Sequence, residues 1–285
     1  MTSHASHYSV SKTLSIRVEL IRQLRRRRTL VAFLLVIALP IIVVAAVKLS
    51  PTDNSGGGFG DGDLDLVGLA TTSASNFAVT MLLFSSGFLL LIIAALFFGD
   101  TIASEASWST LRYLLIAPVP RLRLLRTKII VGLILTAGVL VTLVVFSWVI
   151  GAIFFGLNPL GSPLGGTFTS WESLERLTII TVYIGLTLLF PAGLAFLMST
   201  LTDIPLGAVG TAVVIVIIFN ILDAIEVLGD FRRFLPTDYG ASWIGALSPD
   251  IAWSDMIIGA TYNVTAFIVL LTLAAVAFQR KDITS

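Results

Sequence analysis

Residues 129–155 read IIVGLILTAGVLVTLVVFSWVIGAIFF, without one charged side chain. About 20 apolar residues of helix cross a bilayer's hydrocarbon core, so this stretch is long enough to span it with some tilt. Inside hydrocarbon the backbone must satisfy its own hydrogen bonds, and a barrel strand needs only about 10 residues. The stretch is therefore read as a transmembrane helix. Arg121, Arg123, Arg126 and Lys128 stand immediately before it.

Working outward, five further runs qualify: Leu30–Val47, Phe77–Phe98, Leu177–Leu201, Leu206–Leu228 and Met256–Phe278. The expected fold is all-α, a polytopic membrane protein with six transmembrane helices spread over residues 30–285, preceded by a tail over 1–29. Composition agrees. The chain of 285 residues is 56% hydrophobic and 12% charged, with a mean hydropathy of +0.97, whereas soluble domains carry roughly 25% charged residues. The first run exceeds the roughly 7–15 residues of a signal-peptide h-region and is read as a retained span. With no Cys, disulfides and thiol chemistry are excluded. The only His are His4 and His7, so no span carries a histidine ligand or base.

Basic residues set the orientation. Of the 18 Lys and Arg, all but Lys48, Arg176, Arg232 and Arg233 fall in the N-terminal segment, the loop between spans two and three, or the C-terminal tail. That side is expected to be the cytoplasm, with both termini in it. Residues 50–66 and 156–175, rich in Gly, Pro and polar side chains, are expected to be outer loops. Residues 229–255 mix Phe231, Phe234, Leu235, Trp243, Ile244, Leu247, Ile251 and Trp253 with polar residues. That mixture fits short amphipathic outer helices at the interface, or a plain loop.

Before the first span, Val10, Leu14, Val18, Ile21 and Leu24 make one helical face, widened by Leu20. Glu19, Arg22, Gln23 and Arg26 lie away from it, and Arg17 intrudes. This pattern predicts an amphipathic interfacial helix on the cytoplasmic leaflet; the basic residues alone need be no more than a topogenic flank.

The loop after span two, GDTIASEASWSTLRYLLIAPVPRLRLLRTK from Gly99 to Lys128, carries the most specific signal. Asp100 closes the span and Glu105 follows. A short helix with Trp108, Thr110, Leu111, Leu114 and Leu115 is expected next, ended by Pro118 and Pro120 before Arg121. A helix parallel to the membrane and tethered to two spans offers a grip to a soluble partner. The alternative is an ordinary basic loop.

This segment resembles the coupling region of ABC-2-type transporter permeases, the membrane subunits of bacterial ABC exporters. The matching positions are Asp100, Glu105, Thr110-Leu111, Leu114-Leu115, Pro118-Val119-Pro120-Arg121 and Lys128, with Ser109 where that family commonly has Gly. The layout of flat helix, six spans and amphipathic outer segment is similar too. The resemblance implies a non-enzymatic permease subunit in a bacterial plasma membrane, exporting a hydrophobic or amphipathic drug, lipid or peptide. It implies a P-loop ATPase subunit docked around Glu105–Leu115, a second permease copy or paralogue, and no nucleic-acid partner. ATP and Mg²⁺ would be held by the ATPase. No cofactor is expected on this chain, which has no G-x-x-x-x-G-K-[ST] loop.

Polar residues inside spans are costly and often functional. Asn220, Asp223 and Glu226 lie toward the outer end of span five, the last two, three apart, on a shared helix face, and Asn263 lies in span six. The acidic pair lines an outward cavity or faces water at headgroup level; Asn263 faces a pathway or bonds a neighbouring helix. Asp61, Asp63 and Asp65 lack the Gly and Glu of a calcium loop, having Leu66 and Thr72 instead. Pro191 is expected to interrupt span four, and Gly132, Gly138, Gly185, Gly193, Gly207 and Gly210 to permit helix packing. The rival function is an ion-coupled secondary transporter using Asp223 and Glu226. Repeat symmetry or discontinuous spans near the midplane are expected of one; neither is evident in the sequence, and the acidic pair lies nearer one end of its span than the middle.

Overall fold

The computed structural model describes residues 15–49, 66–107, 121–162 and 166–280. Val10, Leu14, the acidic triplet 61–65, and Trp108 through Pro118 of the coupling segment lie outside the described residues. Among the described residues ten α-helices follow in order: α1 (Ile16–Leu24), α2 (Arg27–Leu49), α3 (Leu66–Ala70), α4 (Ala74–Ser86), α5 (Leu89–Ser107), α6 (Arg121–Phe155), α7 (Ser170–Thr187), α8 (Leu189–Leu201), α9 (Pro205–Asp223) and α10 (Trp253–Arg280). Two 3-10 helices, Glu226–Phe234 and Ser242–Leu247, lie between α9 and α10. Five helical stretches are long and apolar enough to cross a membrane, α7 and α8 counting as one; the bent pair α4–α5 makes a sixth if taken together. This is a multi-pass membrane protein.

Helices α5 and α8 form the middle of the bundle, with α4, α6, α9 and α10 packed around them. Helix α2 lies at the edge. It packs on α6 and buries Thr29, Ala32, Val36, Pro40 and Val44, spaced three or four apart along one face. Leu34, Leu35, Ile41 and Ile42 on its other faces are exposed, as suits lipid contact.

The second predicted span is not one helix. It breaks between Ser86 and Leu89 with a bend of 57°. Ser85 Oγ donates to the carbonyls of Met81 and Leu82, and Ser86 Oγ to that of Leu83, diverting acceptors from the backbone ladder just before Gly87. Such Ser/Gly stretches are a recognised cause of sharp kinks. The pair still runs beside the full length of α6. At one end the Ala74 N–H donates to the Gly156 carbonyl at 3.0 Å; at the other Glu105 pairs with Lys128.

Span four is interrupted as expected: α7 ends at Thr187 and α8 begins at Leu189, just before Pro191, whose missing N–H leaves a rung of the ladder unmade. Span five is shorter than expected. Helix α9 ends at Asp223, Ile225 is extended, and Glu226 starts a 3-10 helix, so Asp223 and Glu226 do not share a helix face. Gly132, Gly185 and Gly193 do sit at tight helix contacts, where an added Cβ would lie 2.9, 3.2 and 3.1 Å from neighbouring side chains. Gly138 has the Phe33 ring at 3.6 Å. Gly207 and Gly210 pack against no other helix.

Candidate functional site

Two polar clusters stand out, one at each end of the bundle. The first lies at the basic end. Helix α1 exposes Val18, Ile21 and Leu24 while burying Glu19 and Gln23, so its polar face, rather than facing water, is the one docked on the protein. Helix α5 continues past the predicted end of span two, placing Asp100 and Glu105 on the same helix as the apolar run. Lys128, about two turns into α6, meets them from the other side.

Glu19, Glu105 and Lys128 are 3%, 2% and 1% exposed, so these charges depend on one another rather than on water. Lys128 Nζ donates to Glu19 Oε1 at 2.8 Å and also to Glu105 Oε1. Arg22 Nη2 donates to the same two carboxylates at 2.8 and 2.6 Å, and Gln23 Nε2 to Glu19 at 3.1 Å. A second group adjoins it: Arg26 donates to Asp100 at 2.8 Å, and Arg28, at the start of α2, pairs with Asp100 as well. Burial alone would raise the Glu19 carboxyl. The charge and hydrogen bond of Lys128, with those of Arg22, outweigh it and hold its pKa at about 2.

The cluster thus ties α1, α2, α5 and α6 together at one point, and the residues it joins on α5 and α6 flank 108–120 on both sides. What it provides is a buried set of ion pairs that holds α1, α5 and α6 to one another.

The second cluster lines a cavity of about 290 Å³ toward the far end. Both helix breaks open onto it, through Ser86 and Gly87 on one side and Thr187, Leu188 and Pro191 on the other. Three of the four polar positions picked out from the spans meet here, Asn220, Asp223 and Asn263; Glu226 does not line it and is exposed. Each Asn donates to the carbonyl four residues back on its own helix, Asn220 to Val216 and Asn263 to Gly259, both at 2.9 Å.

The turn between the 3-10 helices completes the wall with Pro236, Thr237 and Asp238. Arg232 lies 3.5 Å from Asp223 and 4.0 Å from Asp238. The Asp238 carboxyl is pushed above its ordinary range, first by burial and then by the hydrogen bond and charge of Asp223, with Arg232 and Arg233 opposing. The end of the second 3-10 helix and the residues after it are held from below. Buried Arg176 donates to the carbonyls of Ala246, Ser248 and Pro249 and stacks 3.8 Å over the Phe168 ring.

Of the residues singled out from the sequence, Asp100 and Glu105 lie in the buried network and Asn220, Asp223 and Asn263 line the cavity; the sequence did not show Glu19, Arg22, Arg28 and Lys128 to be part of a buried network. The signal for the network was a Glu and a Gln four apart on the polar face of a helix otherwise fit for lipid. Nothing in the sequence pointed to Arg232 or Asp238, since the turn that carries them has no periodicity. Arg121 begins α6. Among the described residues no group of three Asp, Glu or His could hold a metal ion.

The family described as "Protein of unknown function (DUF2705)" matches residues 64–284. No curated protein matches the chain.

Proposed function

Since the chain belongs to the family of proteins of unknown function DUF2705, whose description assigns no activity, we propose a function from its own geometry: the membrane-spanning subunit of an ABC-2-type, ATP-driven exporter. The observation that carries this reading is the buried network at the basic end, which locks both flanks of residues 108–120 to each other and to α1. A segment held in that way passes a push from a soluble motor to four helices at once. The charge distribution supports placing that end in the cytoplasm, with six crossings when α4–α5 counts as one. On this reading Asp100 and Glu105 act from within the bundle, as the anchor of the coupling segment. The segment's own residues, Trp108, Thr110, Leu111, Leu114, Leu115 and Pro118, with Arg121 at its end, form the surface for the P-loop ATPase. ATP and Mg²⁺ belong to that subunit. A second copy or paralogue completes the pathway in the bacterial plasma membrane, for a hydrophobic or amphipathic cargo.

The test is a mild-detergent pull-down of the tagged chain from its native membranes, with mass spectrometry of the co-purifying proteins. A stoichiometric P-loop ATPase is the expected result, lost when Leu111→Asp is introduced. Repeated recovery of the chain alone overturns the reading.

One observation favours a second reading, an ion-coupled transporter without an ATPase. Two spans are broken near their middles and both breaks face a cavity with carboxylates, an arrangement found in secondary transporters. Transport by proteoliposomes of the chain alone, driven by an ion gradient and insensitive to ATP, distinguishes it.

A further inference from the structure

We propose that the far-end cavity is a binding site for a small organic cation carrying a protonated amine. Charge points to a cation. Two carboxylates, Asp223 and Asp238, share a single guanidinium, Arg232, at 3.5 and 4.0 Å, so one negative charge is left for an incoming positive one. Hydrogen bonding points the same way. Asp223 Oδ1, Arg232 Nε and Thr237 Oγ1 are buried and none makes a hydrogen bond among the described residues, Arg232 Nε standing off from Asp223 Oδ1 at 3.5 Å. Buried acceptors of this kind are costly unless a donor is supplied, and an ammonium group supplies up to three.

Size and lining point to an organic ligand over a bare ion. At about 290 Å³ the cavity is near the lower end of small-molecule sites. Its wall is half apolar, with Phe190 stacked on Phe219 behind it at 5.7 Å between centroids. An aromatic or aliphatic body fits against Leu91, Phe190 and Pro191 while the amine reaches the carboxylates. The Asp223 and Asp238 side chains keep 22% and 20% exposure, so the site is reached from its own end of the bundle. Both helix interruptions, at Gly87 and at Leu188, line the cavity. This rests on the exporter reading only for its place on a transport route; the binding itself needs neither ATPase nor gradient.

The test is isothermal titration of the purified full chain with phenethylamine, and with phenylethanol and phenylacetate as neutral and anionic counterparts. Saturable binding of the amine alone is expected, weakened about tenfold or more by Asp223→Asn and by Asp238→Asn, since a charge-assisted hydrogen bond is lost in each. Equal binding of phenylethanol, or unchanged affinity in both folded variants, overturns the proposal. If neither variant folds, an azide-bearing phenethylamine photoprobe decides on the wild-type chain. Labelling of 216–223 or 236–241 supports the site, and labelling elsewhere overturns it. An amine headgroup of lipid has the same chemistry as a free amine. Titrations in nanodiscs separate the two: competition in phosphatidylethanolamine but not in phosphatidylglycerol identifies the lipid, and equal binding identifies the free amine. Amine binding without a co-purifying ATPase leaves this site standing and removes the exporter, and the converse result does the opposite.

Discussion

Lys128 is the residue on which the basic end depends. It is 1% exposed and faces two carboxylates, and breaking a buried charge network by removing one partner costs about 3–5 kcal/mol. Lys128→Met is therefore expected to lower the melting temperature sharply, and Lys128→Met combined with Glu19→Gln and Glu105→Gln to recover most of the loss, because the two acids are then no longer left buried without their cation. Thermal unfolding in detergent measures both; an unchanged melting temperature for Lys128→Met would remove the network from any account of stability. Glu19 adds a pH dependence of definite sign. Its folded pKa of about 2 lies below the ordinary 4.5, so its contribution, roughly 3 kcal/mol, is fully present above about pH 4.5 and is lost as pH falls toward 2. The melting temperature is expected to fall through that window, and less steeply in Glu19→Gln.

At the scale of elements, glycine positions separate contacts that cannot yield from faces that are open. A Cβ at Gly151 would lie 2.9 Å from the Ala74 Cα, where backbone meets backbone. Gly151→Leu is expected to force α4 from α6 at a cost of about 1–3 kcal/mol. Gly210→Leu is expected to be close to neutral, because nothing lies within 4 Å of its Cβ position. Melting curves of the two variants side by side test the helix packing. The cap over the far end depends on one side chain. Arg176→Met removes three hydrogen bonds to the carbonyls of 246, 248 and 249. Amide exchange over 242–252 is expected to accelerate several-fold while α5 and α8 stay protected, and uniform protection would show that the cap holds without it.

For the whole molecule, the exporter reading places both termini on one side. A cytoplasmic reporter fused after Arg280 is expected to be active and one inserted at Gly57 silent; the reverse pattern inverts the topology. The spans, their order and the basic end were legible in the sequence because lipid imposes a simple rule: each crossing needs an unbroken apolar run of a minimum length. The Pro191 interruption was legible because a missing N–H is a property of the residue itself. What only the tertiary structure decided is where the polar exceptions go. The 57° bend at Gly87 goes with Ser85 and Ser86 hydroxyls bonding carbonyls of their own helix, inside a run that is apolar on average. The end of α9 at Asp223, which parts that residue from Glu226, came from a turn without periodicity. The burial of Glu19 with Lys128, 109 residues apart in the chain, follows from α1 folding back under the bundle. Hydropathy measures what a residue costs in lipid; it is blind to the distant partner that offsets the cost, and only the folded chain supplies that partner.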